Sequence, residues 1–74
     1  MSKVHVFNIR KARLNLNNIL QWCKEVFGDI NLVHGPTSAE LYRVCYDNQV
    51  TGIVVFYFKE DTDYLFFLLK WGNN

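Results

Sequence analysis

Seventy-four residues, 50% hydrophobic and 20% charged with a formal net charge of +1, exclude a disordered tail, a coiled coil and any second domain. A charge so near zero gives no bulk electrostatic case for a nucleic-acid or membrane partner. A chain this short buries only about 60% of its unfolded surface, so its apolar half, rich in aromatics, exceeds what one small core hides.

In chain order, Lys3 to Ile9 reads as a strand with apolar groups on both faces: Val4 and Val6 on one, His5, Phe7 and Ile9 on the other. Lys3, Arg10, Lys11 and Arg13 then concentrate positive charge in a stretch without acidic residues, while the remainder of the chain is net negative. Such a cluster serves either as solvated loop or to orient an encounter. Leu16, Ile19, Leu20, Cys23, Val26 and Phe27 recur at helical spacing. Asn15 or Asn17 is placed to cap that helix, Lys24 suits its last turns, and Gly28 its left-handed stop.

Asp29 to Glu40 holds the only proline, in His34-Gly35-Pro36-Thr37, and reads as a connection with a short extended piece around Ile30 to Val33. Leu41 to Tyr46 and Val50 to Phe58 follow as two strands, paired antiparallel through Asp47-Asn48-Gln49, where Asn or Asp is expected to supply a positive φ. The apolar run Tyr64 to Trp71 fits a buried strand or a buried helix. Its flanks favour the helix: Asp61 as N-cap, Asp63 in the first turn, Lys70 in the last and Gly72 as the stop. The expected fold is α+β, ordered β-α-β-β-α with an antiparallel sheet. A hairpin over Lys59 to Asp63 would give a β-α-β-β-β meander with one helix instead.

The chemistry-bearing residues point away from catalysis. Cys23 and Cys45 are too far apart for a CxxC pattern and have apolar neighbours, as core thiols in a reducing compartment do. His5 and His34 complete a Cys2His2 set only if four unrelated elements converge, so neither a metal nor another cofactor is expected. Glu60, Asp61 and Asp63 could hold a divalent cation or act as an acid and base pair, but a charged turn entering a helix explains them. Cys45 with His5 or His34 could form a nucleophile and base, yet no neighbour in sequence activates it. Gly35-Pro36-Thr37-Ser38 lacks the spacing of a phosphate-binding loop. No enzyme and no small-molecule substrate follow. No secretory segment opens the chain, and the apolar runs Ile53 to Phe58 and Tyr64 to Leu69 fall short of a membrane span, so a cytoplasmic protein without a membrane partner is expected.

Val4-His5-Val6-Phe7-Asn8-Ile9 is similar to the first-strand motif of the RNA-recognition-motif family, and Thr51-Gly52-Ile53-Val54-Val55-Phe56-Tyr57-Phe58 resembles the octamer on its third strand. Lys59 to Gly72 takes the place of its second helix. The resemblance implies a ferredoxin-like plait lacking a fourth strand. Where the family stacks bases, the octamer here has Ile53 and Val55 and the first strand has His5; Thr51 replaces the basic residue that opens the octamer. A second resemblance, through Asp63-Tyr64-Leu65-Phe66-Phe67-Leu68-Leu69-Lys70-Trp71-Gly72, is to small accessory proteins of tailed bacteriophages. It implies action in the host cytoplasm and agrees with the Asn-, Phe-, Tyr-, Ile- and Lys-rich residue usage that AT-rich coding imposes.

If Val54, Phe56 and Phe58 face the helices together with Val4 and Val6, then Ile53, Val55 and Tyr57, with His5, Phe7 and Ile9, line a face that is open unless Ile30 to Val33 or the C-terminal segment covers part of it. An exposed apolar face of that size reads as an interaction surface, and an absent fourth strand leaves an edge open to a partner's strand. The Tyr64 to Trp71 run, apolar all round, has a second side to cover. The expectation is a protein-binding module, homodimeric, engaging or inhibiting a host or defence protein through Phe7, Ile53, Val55, Tyr57 and Trp71. The alternatives are a single-stranded nucleic-acid binder using His5, Arg10, Lys11 and Arg13 with Phe7 and Tyr57, and a virion structural component.

Overall fold

The computed structural model describes residues 4–10, 15–35, 39–49 and 51–72. Strand β1 (His5–Arg10) is followed by helix α1 (Leu16–Phe27), the two-residue β2 (Asn31–Leu32), β3 (Val44–Asp47), β4 (Ile53–Phe58) and helix α2 (Asp61–Trp71). The strands form one sheet in the order β1-β4-β3-β2. β4 runs antiparallel to both neighbours, whereas β2 runs parallel to β3. The sheet is therefore mixed rather than antiparallel throughout, because the extended piece near Ile30 joins it at the β3 edge.

Helix α1 forms where the apolar spacing places it. The Asn15 side chain accepts from the Asn18 backbone N–H at 3.3 Å, and Gly28, at φ 90°, donates its N–H to the Lys24 carbonyl. Ile19, Cys23 and Phe27 form its buried stripe, and Val26 falls outside it. The last apolar run is a helix, which removes the five-element meander. Its N-cap is Glu60, one residue before the expected Asp61, whose carboxylate instead lies 3.1 Å from His5 Nε2. The β3–β4 turn also differs. Among the described residues no side-chain-bearing residue has positive φ, and Gly52, at φ 84°, supplies it.

Register corrects the assignment of faces. His5, Phe7 and Ile9 lie opposite Phe58, Phe56 and Val54, while Val6, Asn8 and Arg10 lie opposite Tyr57, Val55 and Ile53. Directly opposed residues in an antiparallel pair share a face, so Phe7, His5 and Ile9 face the helices and Val6 does not. The main core joins Val44, Val54, Phe56 and Phe58 to Ile19, Cys23, Phe27 and Phe67. A second cluster occupies the other side of the sheet, where Val33 and Ala39 cover Cys45, Val55 and Tyr57.

Candidate protein-binding surface

The face expected to be open is largely closed. Val55 and Tyr57 are buried and Ile53 is half-buried, because residues 33 to 35 and Ala39 cross the sheet on this side. Asp47 ties the connection down: one carboxylate oxygen accepts from the Gly35 N–H at 3.0 Å, the other from the Gln49 N–H at 2.9 Å. The Val33 N–H donates to the Tyr46 carbonyl at 2.8 Å. Ile53, Val55 and Tyr57 are thus together as expected, beneath a cover.

Phe7 and Trp71 belong to the helix layer. Phe7 meets Phe67 edge-on at 5.5 Å, and Trp71 sets its ring against Trp22 at 6.1 Å. The Trp71 indole N–H is buried without a hydrogen-bond partner among the described residues. His5 stacks on Tyr64 at 5.0 Å, on the opposite side of the sheet from Tyr57, so the proposed base-stacking set is divided. Arg10 is exposed at the end of β1, and Lys11 and Arg13 lie outside the described residues.

Three exposed large apolar side chains share α2, whereas Val6, Leu32, Leu41 and Tyr42 are exposed elsewhere. Its inner stripe is Asp63, Tyr64, Phe67 and Trp71, with Phe67 0% exposed. On its outer side Leu65 is 53%, Phe66 50% and Leu69 76% exposed. Phe66 lies against Trp22 of α1 at 5.6 Å, and Val26, one turn from Trp22, is also exposed, so the patch continues across both helices. The all-round apolar run was the signal for this surface; the residues that form it depend on how α2 is rotated.

Arg43 pins that rotation at the start of α2, alongside the packing of Phe67, and no periodicity points to it. Its Nε and Nη2 donate to the two Asp63 oxygens at 2.7 and 3.0 Å, and its guanidinium lies over the Phe27 ring. Asp63, buried in the first turn of α2, is thereby held at the start of β3. The hydrogen bonds from Arg43 to Asp63, and then the carboxylate charge, raise the guanidinium pKa above its ordinary value.

The thiols are core groups. Burial pushes Cys23 up to about 12 and Cys45 up to about 11. Cys45 contacts the Ala39 carbonyl across the sheet from His5, while His34 is exposed. Above pH about 9 unfolded thiols lose protons that the folded ones keep, so stability falls as pH rises from about 9 toward 11–12. Tyr57, raised first by burial and then by the Asp47 charge, acts in the same sense. Urea midpoints are expected to fall between pH 8 and pH 10.5, and less steeply in Cys23→Val; equal slopes would remove Cys23 as a source.

Among the described residues no group of three His, Cys, Asp or Glu side chains could hold a metal ion, and no helix is long and apolar enough to cross a membrane. No protein-family model, curated protein or solved structure matches the chain.

Proposed function

We propose that this chain is a small protein-binding module that works through the outer side of α2. The observation that carries this reading is the exposure of Leu65, Phe66 and Leu69 along one short helix, backed by Trp22 and Val26 of α1. A surface helix normally turns polar residues outward. A contiguous apolar patch on the order of a few hundred Å² favours contact with another protein. The reading moves the contact from the covered Ile53, Val55 and Tyr57 face to the helix layer, where Trp71 lies, and assigns no catalytic residue.

The three longer strands, antiparallel in the order β1-β4-β3 and followed by α2, support a ferredoxin-like plait without its fourth strand. A phage accessory protein acting on a host protein is the setting that the terminal-segment resemblance supports. A photo-crosslinking residue placed at position 65 or 69 is expected to capture protein in cells, while one at exposed Thr51 captures none. Absence of any adduct at 65 and 69 would overturn the reading.

A further inference from the structure

Resting on that protein-binding reading, we infer that the partner is a second copy of this chain, its α2 laid antiparallel on the first across a two-fold axis that runs in the contact plane at the level of Phe67. The outer side of α2 is self-complementary under that operation. One face of the helix buries Asp63 and Phe67, and the opposite face carries Thr62, Leu65, Leu69 and Gly72 in one stripe, all four exposed. Gly72 belongs to it because, as the C-cap, it keeps helical φ and ψ. The steps along the stripe are three, four and three residues, the same read from either end. Reversal about Phe67 therefore exchanges Leu65 with Leu69 and Thr62 with Gly72, as an isologous contact requires. The leucines meet in the middle, and the two small residues let the helix ends approach.

Phe66 widens the stripe toward α1. It lies against Trp22 at 5.6 Å and next to the axis, so the Phe66 rings of the two copies come together with Trp22 and Val26 behind them. Beside this apolar centre α1 turns Asn18, Gln21 and Glu25 outward, all exposed, as a polar rim. The exposed apolar side chains of the helix layer supply roughly 400 Å² per copy. With the rim, the contact reaches roughly 1,000 Å² in total, the lower bound for a specific interface, so the dimer is weak, with a Kd of roughly 10–500 μM.

Charge selects the antiparallel direction. His5 lies opposite Phe58 and meets Asp61, so α2 begins at that end of the sheet; Phe27 packs on Phe58 beneath Arg43, so α1 ends there. Glu25, Asp29, Glu60 and Asp61 are all exposed at this end of the helix layer. Lys59 alone offsets them, since Arg43 is taken up by Asp63 and Lys24 projects from the flank of α1 away from Trp22. The other end holds one charge, Lys70, because Leu16 to Cys23 and Tyr64 to Leu69 contain none. Lys70 follows Phe66 by one turn, on the α1 side of α2. Reversal carries it to the level where Glu25 stands beside Val26, so each of the two symmetric contacts joins Lys70 of one copy to Glu25 of the other. A parallel pairing would instead set the acidic end of each copy on its own like.

The test is sedimentation equilibrium of the whole chain and three surface variants, Lys70→Glu, Glu25→Lys and Leu69→Arg, at low salt, with circular dichroism as the check on folding. Wild type is expected to dimerise. Lys70→Glu and Glu25→Lys each place like charges at both symmetric contacts and weaken dimerisation about tenfold. Mixing these two restores it, because both contacts of the mixed dimer are then attractive. Leu69→Arg, which sets a charge against Leu65 of the second copy, abolishes it. A wild-type monomer at about 500 μM, any of the variants as dimeric as wild type, or a mixture that stays monomeric would each overturn the pairing. The two readings fail separately. A monomer whose position 65 crosslinks to a different protein loses the self-pairing and keeps the binding function; no adduct of any kind removes both.

Discussion

Phe67→Ala is expected to cost about 3–5 kcal/mol, whereas Leu69→Ala, two residues along the same helix, stays within about 0.5 kcal/mol. Phe67 is fully buried and its ring meets four others: Phe58 at 4.9 Å, Phe56 at 5.1 Å, Phe7 at 5.5 Å and Trp22 at 6.1 Å. It is where both helices and strands β1 and β4 converge, so truncation leaves a cavity that no single element can close. A chain of this length has about 4–11 kcal/mol of stability in all. The variant therefore loses a large share of it, and Tm falls by roughly 20 °C. Leu69 packs on nothing comparable and its removal takes little from the folded state. Urea titration of both variants measures the contrast; equal losses would mean that α2 is rotated from the arrangement described.

Asp47→Ala is expected to cost about 2–4 kcal/mol, because two backbone N–H groups lose a charged acceptor. Asp47→Asn, which keeps one acceptor oxygen, costs less. The position is singular in β3, a buried carboxylate among Val44, Cys45 and Tyr46, facing the side that residues 33 to 35 cross. One oxygen closes a local turn onto Gln49 while the other reaches twelve residues back to Gly35. Removing both frees the cover over Val55 and Tyr57. Amide exchange at Val33 and Gly35 is expected to accelerate before exchange in β4 does, and Asp47→Ala is expected to bind an apolar dye that wild type binds less. Unchanged exchange at Gly35 would show that the cover is held by the packing of Val33 and Ala39 alone.

The parts of the fold legible in sequence are those with local causes. Helix α1 follows from the recurrence of Ile19, Cys23 and Phe27 and from Asn15 and Gly28 at its ends. Helix α2 follows from acidic residues before the apolar run and Lys70 near its end, although His5 draws Asp61 away from the capping role. The faces of β1 were not legible, because Val4 and Val6 are as apolar a set as Phe7 and Ile9. Only pairing with β4 decides, and it turns the larger side chains toward the helices. The positive φ falls on Gly52, which adopts it without a Cβ clash, while Asp47 closes the turn through its side chain onto the Gln49 N–H.

The candidate site divides in the same way. A run apolar on every side, Tyr64 to Trp71, has more surface than one core takes, and that excess was visible without coordinates. Which of its residues meet solvent follows from Phe67 packing on Phe56 and Phe58 and from Arg43 holding Asp63 from twenty positions away, and no periodicity encodes the second contact. The cover over Val55 and Tyr57 was legible only in part: the extended piece ending at Val33 was a candidate to lie on that face, but no pattern marks Ala39 as its companion.

The pairing of β1 with β4 also sets an order of assembly. β3, β4 and α2 are near neighbours in the chain and close short loops, whereas β1 must wait for a partner strand more than half the chain away. On the ribosome β1 is made before β4, so Phe7 and Ile9 remain without their packing partners until Phe56 and Val54 have emerged. Synthesis at roughly 5–20 residues per second makes that interval a few seconds. During it the nascent chain carries an apolar strand open on both edges, and the local β3–β4–α2 unit is the template on which it finally docks.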